Sequence, residues 1–98
     1  MRIISQKRLK DHWQLPNRGD SEQPLKAWYA IAKEADWGNF AQVKEQFRSA
    51  SAVGDRVVFN IAGNKYRMVA WINFEFRIIY VRFVGTHREY DEVDVKNV

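Results

Sequence analysis

The chain has 98 residues, with sixteen Lys and Arg against twelve Asp and Glu, a formal net charge of +4 and a pI near 9.6. One domain spanning residues 1–98 is expected at this length, and 46% hydrophobic residues, 14% of the chain being aromatic, supply its core. The absence of Cys excludes a disulfide framework, a thiolate nucleophile and a Cys-based zinc site.

The opening MRIISQKRLKDHW lacks the unbroken apolar core and small-residue cleavage site of a signal peptide. No apolar run reaches the ~18 residues of a membrane span. A soluble, cytoplasmic protein without a membrane partner is expected, and its positive balance favours a polyanionic one.

In chain order, Met1–Ile4 is a short apolar strand, and Ser5 stands where an N-cap would serve a helix running through Leu9 and Trp13. Leu15–Pro24 holds Pro16, Asn17, Gly19, Asp20 and Ser21, a loop composition. From Pro24, Leu25, Trp28, Tyr29, Ala32 and Ala35 recur at helical spacing. Gly38 ends that helix, and Asn39 with Gln42 forms a candidate capping box for a short helix carrying Phe40, Val43 and Phe47. Ser49–Gly54 turns the chain back.

Three β-prone runs follow: Val57–Ile61, Tyr66–Phe74 and Arg77–Val84, with Ala62-Gly63-Asn64 as the first hairpin link. The fold class is therefore α+β. The N-terminal strand joins a mainly antiparallel sheet, two to three helices cover one face, a three-strand meander closes the C-terminal half, and Glu92–Val98 is free to fray.

Strand alternation sets Arg67 opposite to Met68, Ala70 and Ile72, on an open face shared with Val69 and Trp71. Arg82, in register with Tyr80 and Ile78, adds a second cation to that face. A cation beside an aromatic suits single-stranded RNA, whose bases stack on such rings. Strand arginines also form plain surface ion pairs, and Trp residues also fill cores.

Denser chemistry sits in Gly85-Thr86-His87-Arg88-Glu89-Tyr90-Asp91, read as a loop after an apolar strand. His87 can exchange a proton near neutral pH, and Tyr90 can assist by hydrogen bonding. One histidine beside Glu89 and Asp91 makes a poor metal site. The other histidine, His12, is expected to be partly exposed and structural. The residues alone leave a non-catalytic RNA- or ribosome-binding module open beside an enzyme.

The stretches VVFNIAGNKYR (Val57–Arg67) and RFVGTHREYD (Arg82–Asp91), with MRIIS, LKAWY, KEADW and NFAQVK, resemble the HigB family of toxins of type II toxin-antitoxin systems. The resemblance implies a RelE-like fold and an mRNA interferase, an endoribonuclease that cuts messenger RNA on the translating ribosome without a metal or other cofactor. Its reaction is attack of the ribose 2′-hydroxyl on the adjacent phosphodiester, which needs a base, an acid and a cation.

Carried over by position, Arg67 stabilises phosphate charge, His87 moves a proton, and Tyr90 shares that role or orients the ribose. Asn60, Lys65, Trp71, Arg82 and Arg88 hold RNA. The implied partners are mRNA, the ribosomal decoding site and a HigA-like antitoxin with a helix-turn-helix domain, through which alone operator DNA is engaged.

Overall fold

The computed structural model describes Met1–Val98 and has the α+β architecture expected, a five-stranded mixed sheet with four helices. The strands are β1 (Arg2–Ile4), β2 (Ser51–Val53), β3 (Arg56–Ile61), β4 (Tyr66–Asn73) and β5 (Ile78–Thr86). The helices are α1 (Gln6–Trp13), α2 (Glu22–Glu34), α3 (Phe40–Gln46) and α4 (His87–Glu92), with a 3₁₀ turn at Gly19–Ser21. No helix is long and apolar enough to cross a membrane.

The sheet order is β1-β5-β4-β3-β2, antiparallel throughout except for the β1–β5 pair. The β3–β4 hairpin forms at the expected link, where Ala62 and Gly63 take φ of 54° and 67°, a left-handed geometry that glycine adopts without steric cost. Strand β2 lies in the segment read as a simple return. It is three residues long and pairs with β3 through a tight Gly54-Asp55 turn. At the β4–β5 turn, Asn73 Oδ1 accepts from the Phe76 amide at 3.0 Å, and Arg77 reaches Asp36 at 2.7 Å.

Met68, Ala70 and Ile72 face α1–α3, as strand alternation requires, and join a sixteen-residue core. Phe59 lies at its aromatic centre, edge-on to Trp28 and Phe47 with centroids 5.4 and 5.2 Å away, and stacked with Trp37 at 6.5 Å. Trp28, Trp37 and Phe59 are each at most 3% exposed, so this cluster alone removes several hundred Å² of apolar surface from water.

Helix starts differ in detail from the expected caps. Ser5 has N-cap backbone geometry but its side chain makes no capping bond. Asn39 does cap α3, accepting from the Gln42 amide at 3.0 Å, while the Gln42 side chain reaches back to the Gly38 amide instead of closing the box on Asn39.

The β4–β5 ladder carries a bulge. Val69 pairs with Phe83 and Ala70 with Val81, leaving Arg82 without a partner position. Arg82 is therefore not in simple alternation with Tyr80 and Ile78 as expected. Its carbonyl accepts from Arg8 Nη1 of α1 at 3.0 Å.

The C-terminal segment, expected to be free, is tied back to the sheet. Asp94 accepts backbone bonds from Asn97 and Val98 at 3.1 and 2.9 Å, and the Val98 carbonyl accepts from Arg56 Nε and Nη2 at 3.1 and 3.0 Å. Arg56 belongs to the sheet face opposite the three helices, so this face is only partly open. Val58 and Val69 on it are buried.

Candidate functional site

Three cross-strand rows order the face opposite α1–α3. Asn60, Arg67 and Gly85 form one, Val58, Val69 and Phe83 the next, and Arg56, Trp71 and Tyr80 the third. The rows separate the expected residues into two groups.

In the first row Arg67 Nη1 donates to Asn60 Oδ1, and its guanidinium carbon lies 5.8 Å from the Tyr90 ring centroid. Tyr90 sits edge-on to His87 with centroids 6.5 Å apart. No carboxylate pairs with Arg67 or Arg88. Both charges are therefore free to meet an anion. Arg67, Asn60, His87 and Tyr90 thus converge, with Arg88 exposed beside them on α4.

The Gly85–Asp91 segment is not a loop. Gly85 and Thr86 end β5 and His87 opens α4, because Thr86-His87-Arg88-Glu89 is a capping box. Thr86 Oγ1 accepts from the Glu89 amide at 3.1 Å, and Glu89 Oε1 accepts from the Thr86 amide at 2.8 Å. The backbone N–H of His87 donates to the Lys65 carbonyl at 3.2 Å, joining α4 to the β3–β4 hairpin.

Asp91, four residues on, brings Oδ2 to 3.1 Å from His87 Nδ1. A carboxylate can only accept, so the shared proton belongs to Nδ1 and Nε2 is left to take or give a proton. Sequence reasoning missed Asp91 as the partner of His87. The i,i+4 spacing becomes a signal only once α4 is recognised. No three His, Cys, Asp or Glu side chains lie close enough together to hold a metal ion.

Lys65 is placed otherwise than expected, in an exposed ion pair with Asp20. Lys65 and, after it, the Tyr66 hydroxyl lower the Asp20 pKa; Asp20 in turn raises that of Lys65. An RNA phosphate would have to compete with Asp20 for Lys65. Trp71 and Arg82 form the second group. Trp71 lies four residues along β4 from Arg67, about 13 Å at strand rise. It packs on Tyr80 at 5.2 Å, and the Arg82 guanidinium lies 6.0 Å from the Tyr80 ring centroid.

His12 is buried at 4% exposure, contrary to the expectation of partial exposure. Its Nδ1 meets Ser21 Oγ at 2.8 Å, and that hydroxyl donates to the Arg18 carbonyl at 2.9 Å. Nδ1 therefore carries the proton, and Nε2 is a buried lone pair without a partner. Tyr66 stands edge-on to the ring at 5.0 Å.

Burial, reinforced by Arg18 and opposed by Glu89 and Asp20, lowers the His12 pKa below 6.5. The unfolded chain then binds more protons than the native one below 6.5, so the contribution of neutral His12 is complete above that pH and is lost as pH falls. Urea unfolding is expected to show a steeper loss of stability from about pH 7 to about pH 5 for the parent than for His12→Asn. Parallel curves would remove His12 from the acid response.

A family model described as the RelE-like toxic component of a toxin-antitoxin system, HigB_toxin, matches residues 21–93, about three quarters of the chain. The chain belongs to the HigB toxin family. The match holds every candidate residue named above, while MRIIS and Trp13 lie outside it.

Among relatives, one named mRNA interferase toxin HigB from Escherichia coli (strain K12) is 53% identical over 34 residues, 35% of this chain and 33% of the relative. Another, named mRNA interferase HigB, from Escherichia coli O6:H1 (strain CFT073), is 28% identical over 72 residues, 70% of each chain. The aligned stretch thus spans about a third of the length of the K12 relative.

Proposed function

We propose that this HigB family member is an endoribonuclease that cleaves messenger RNA in the decoding site of the translating ribosome, by metal-independent attack of the 2′-hydroxyl. The observation that carries the reading is an Arg67 guanidinium with no acidic partner, held by Asn60 and Tyr90 beside His87. That relatives carry the name mRNA interferase supports messenger RNA as the substrate class.

In this reading, His87 Nε2 exchanges the proton of the 2′-hydroxyl or of the leaving 5′-oxygen, with Tyr90 at the other proton or orienting the ribose. The 2′-oxygen bonds to phosphorus as the bond to the 5′-oxygen breaks, leaving a 2′,3′-cyclic phosphate and a 5′-hydroxyl. Arg67 neutralises the charge that builds on the phosphoryl oxygens. With Tyr90 at the second proton, the base, the acid and the cation that the step needs are all side chains of this site. Asn60 orients Arg67, while Arg88, Arg82 and Trp71 guide the strand, with Lys65 joining once RNA displaces Asp20. A HigA-like helix-turn-helix antitoxin binds the toxin and carries it to operator DNA, and the complex works in the cytoplasm.

Primer extension on a defined messenger in a purified translation system, run with and without ribosomes, tests the reading. Codon-phased cuts confined to the ribosome arm, with 5′-hydroxyl ends that accept label from polynucleotide kinase, are expected. Cuts bearing 5′-phosphate ends would refute the chemistry. Intact messenger with arrested synthesis would establish a non-catalytic binding module instead.

A further inference from the structure

Helix α4 is six residues long and buries none of them. A helix this short has no independent stability, and with only the Tyr90 ring partly covered its position depends largely on polar ties. Glu89 is the hub of those ties. Its carboxylate accepts from the Thr86 amide at 2.8 Å and, across 71 positions of sequence, from Arg18 Nη1 and Nη2 at 2.9 and 3.3 Å. Arg18 and, with it, the Thr86 amide hold the Glu89 pKa below its ordinary value.

The Arg18 end of the tie is itself anchored. The Arg18 carbonyl accepts from the Ser21 amide at 3.1 Å and from Ser21 Oγ, which also bonds buried His12. The next residue but one, Asp20, accepts from the Tyr66 hydroxyl at the start of β4. A polar chain therefore runs from the core, through the α1–α2 connection, to the helix that carries His87 and Tyr90. Gly85 leaves room for it, because a Cβ there would stand 2.9 Å from Glu89 Oε1 and 2.5 Å from Phe83 Cζ.

We propose that Arg18 is a positioning residue for the cleavage chemistry, its two-pronged pairing with Glu89 fixing α4 so that His87 and Tyr90 stand over Arg67. The role rests on the ribonuclease reading above. Arg18 touches none of the reacting groups and acts through Glu89. A partly exposed pair contributes little to global stability, so its removal releases α4 locally and leaves the core intact.

The test compares the parent with Arg18→Gln, Glu89→Gln and Arg18→Lys by two readouts. One is the set of nuclear Overhauser effects between the Tyr90 ring and the Arg67 side chain, which needs no activity. The other is ribosome-dependent cleavage, split into maximal rate and half-saturating concentration. Both Gln variants are expected to melt with the parent, show no Tyr90–Arg67 Overhauser effects and fall about 10²-fold in maximal rate, since a displacement near 1 Å suffices for that drop. Half-saturation stays within about twofold, and Arg18→Lys restores part of the rate.

Overhauser effects retained in both Gln variants would overturn the proposal, and so would full cleavage by a variant in which they have vanished. If they vanish but the parent itself never cuts messenger, α4 is held as described and it is the ribonuclease reading that fails.

Discussion

Arg67→Ala is expected to lower messenger cleavage by about 10²-fold or more while the protein stays folded. In the proposed reading the guanidinium faces the phosphate, and removing one preorganised contact to transition-state charge commonly costs 10²- to 10³-fold in rate. Arg67 lies on the sheet face opposite the main core, and its side chain meets Asn60 and Tyr90, so its truncation leaves the helix-facing packing in place. Arg67→Lys restores charge but not the two-dimensional fork, and recovers only part of the rate. Single-turnover cleavage beside a urea unfolding curve separates the cases. A folded Arg67→Ala protein that cuts like the parent would remove Arg67 from the chemistry.

Phe59→Ala acts on the other side of the sheet and on stability. Phe59 is 1% exposed and meets three aromatic rings, so truncation opens a cavity between two tryptophans and a phenylalanine. Such a change costs about 3–5 kcal/mol, a large share of the ~5–15 kcal/mol that holds a domain of this size together. Urea unfolding is expected to show a midpoint moved sharply down. Phe76→Ala provides the contrast. That ring is 67% exposed in the β4–β5 turn, and its removal should stay within about 0.5 kcal/mol. Comparable destabilisation in the two variants would contradict the placement of the core.

Much of the fold is readable from pattern alone. The alternation in Tyr66–Phe74 gives the helix-facing set Met68, Ala70 and Ile72, and the spacing of Leu25, Trp28 and Ala32 gives the buried stripe of α2. Pattern fails where an element is too short to repeat. Ser51-Ala52-Val53 has no apolar alternation, and α4 ends before its second turn is complete, leaving the Thr86–Glu89 capping box as its one local mark.

Single residues are hardest where their partner is remote. Nothing near Lys65 announces that Asp20, 45 positions away, will hold it, nor that Ser21 will draw His12 indoors. At the candidate site, Arg67, His87 and Tyr90 stand out by residue type, whereas Asp91 requires knowledge of the helix between them. Trp71 and Arg82 share the expected face, but the Val58-Val69-Phe83 row holds Trp71 away from Arg67.

The bulge at Arg82 bears on how this chain could tolerate changes in length. Since Val81 and Phe83 already face successive positions of β4, excising Arg82 would close the ladder without turning any other side chain over. Removing a residue from a regular stretch of β5 would instead invert everything beyond it, sending Val84 toward solvent and Gly85 toward the helices. β5 thus contains one position where the reading frame of the sheet has slack, directly upstream of the segment that delivers His87.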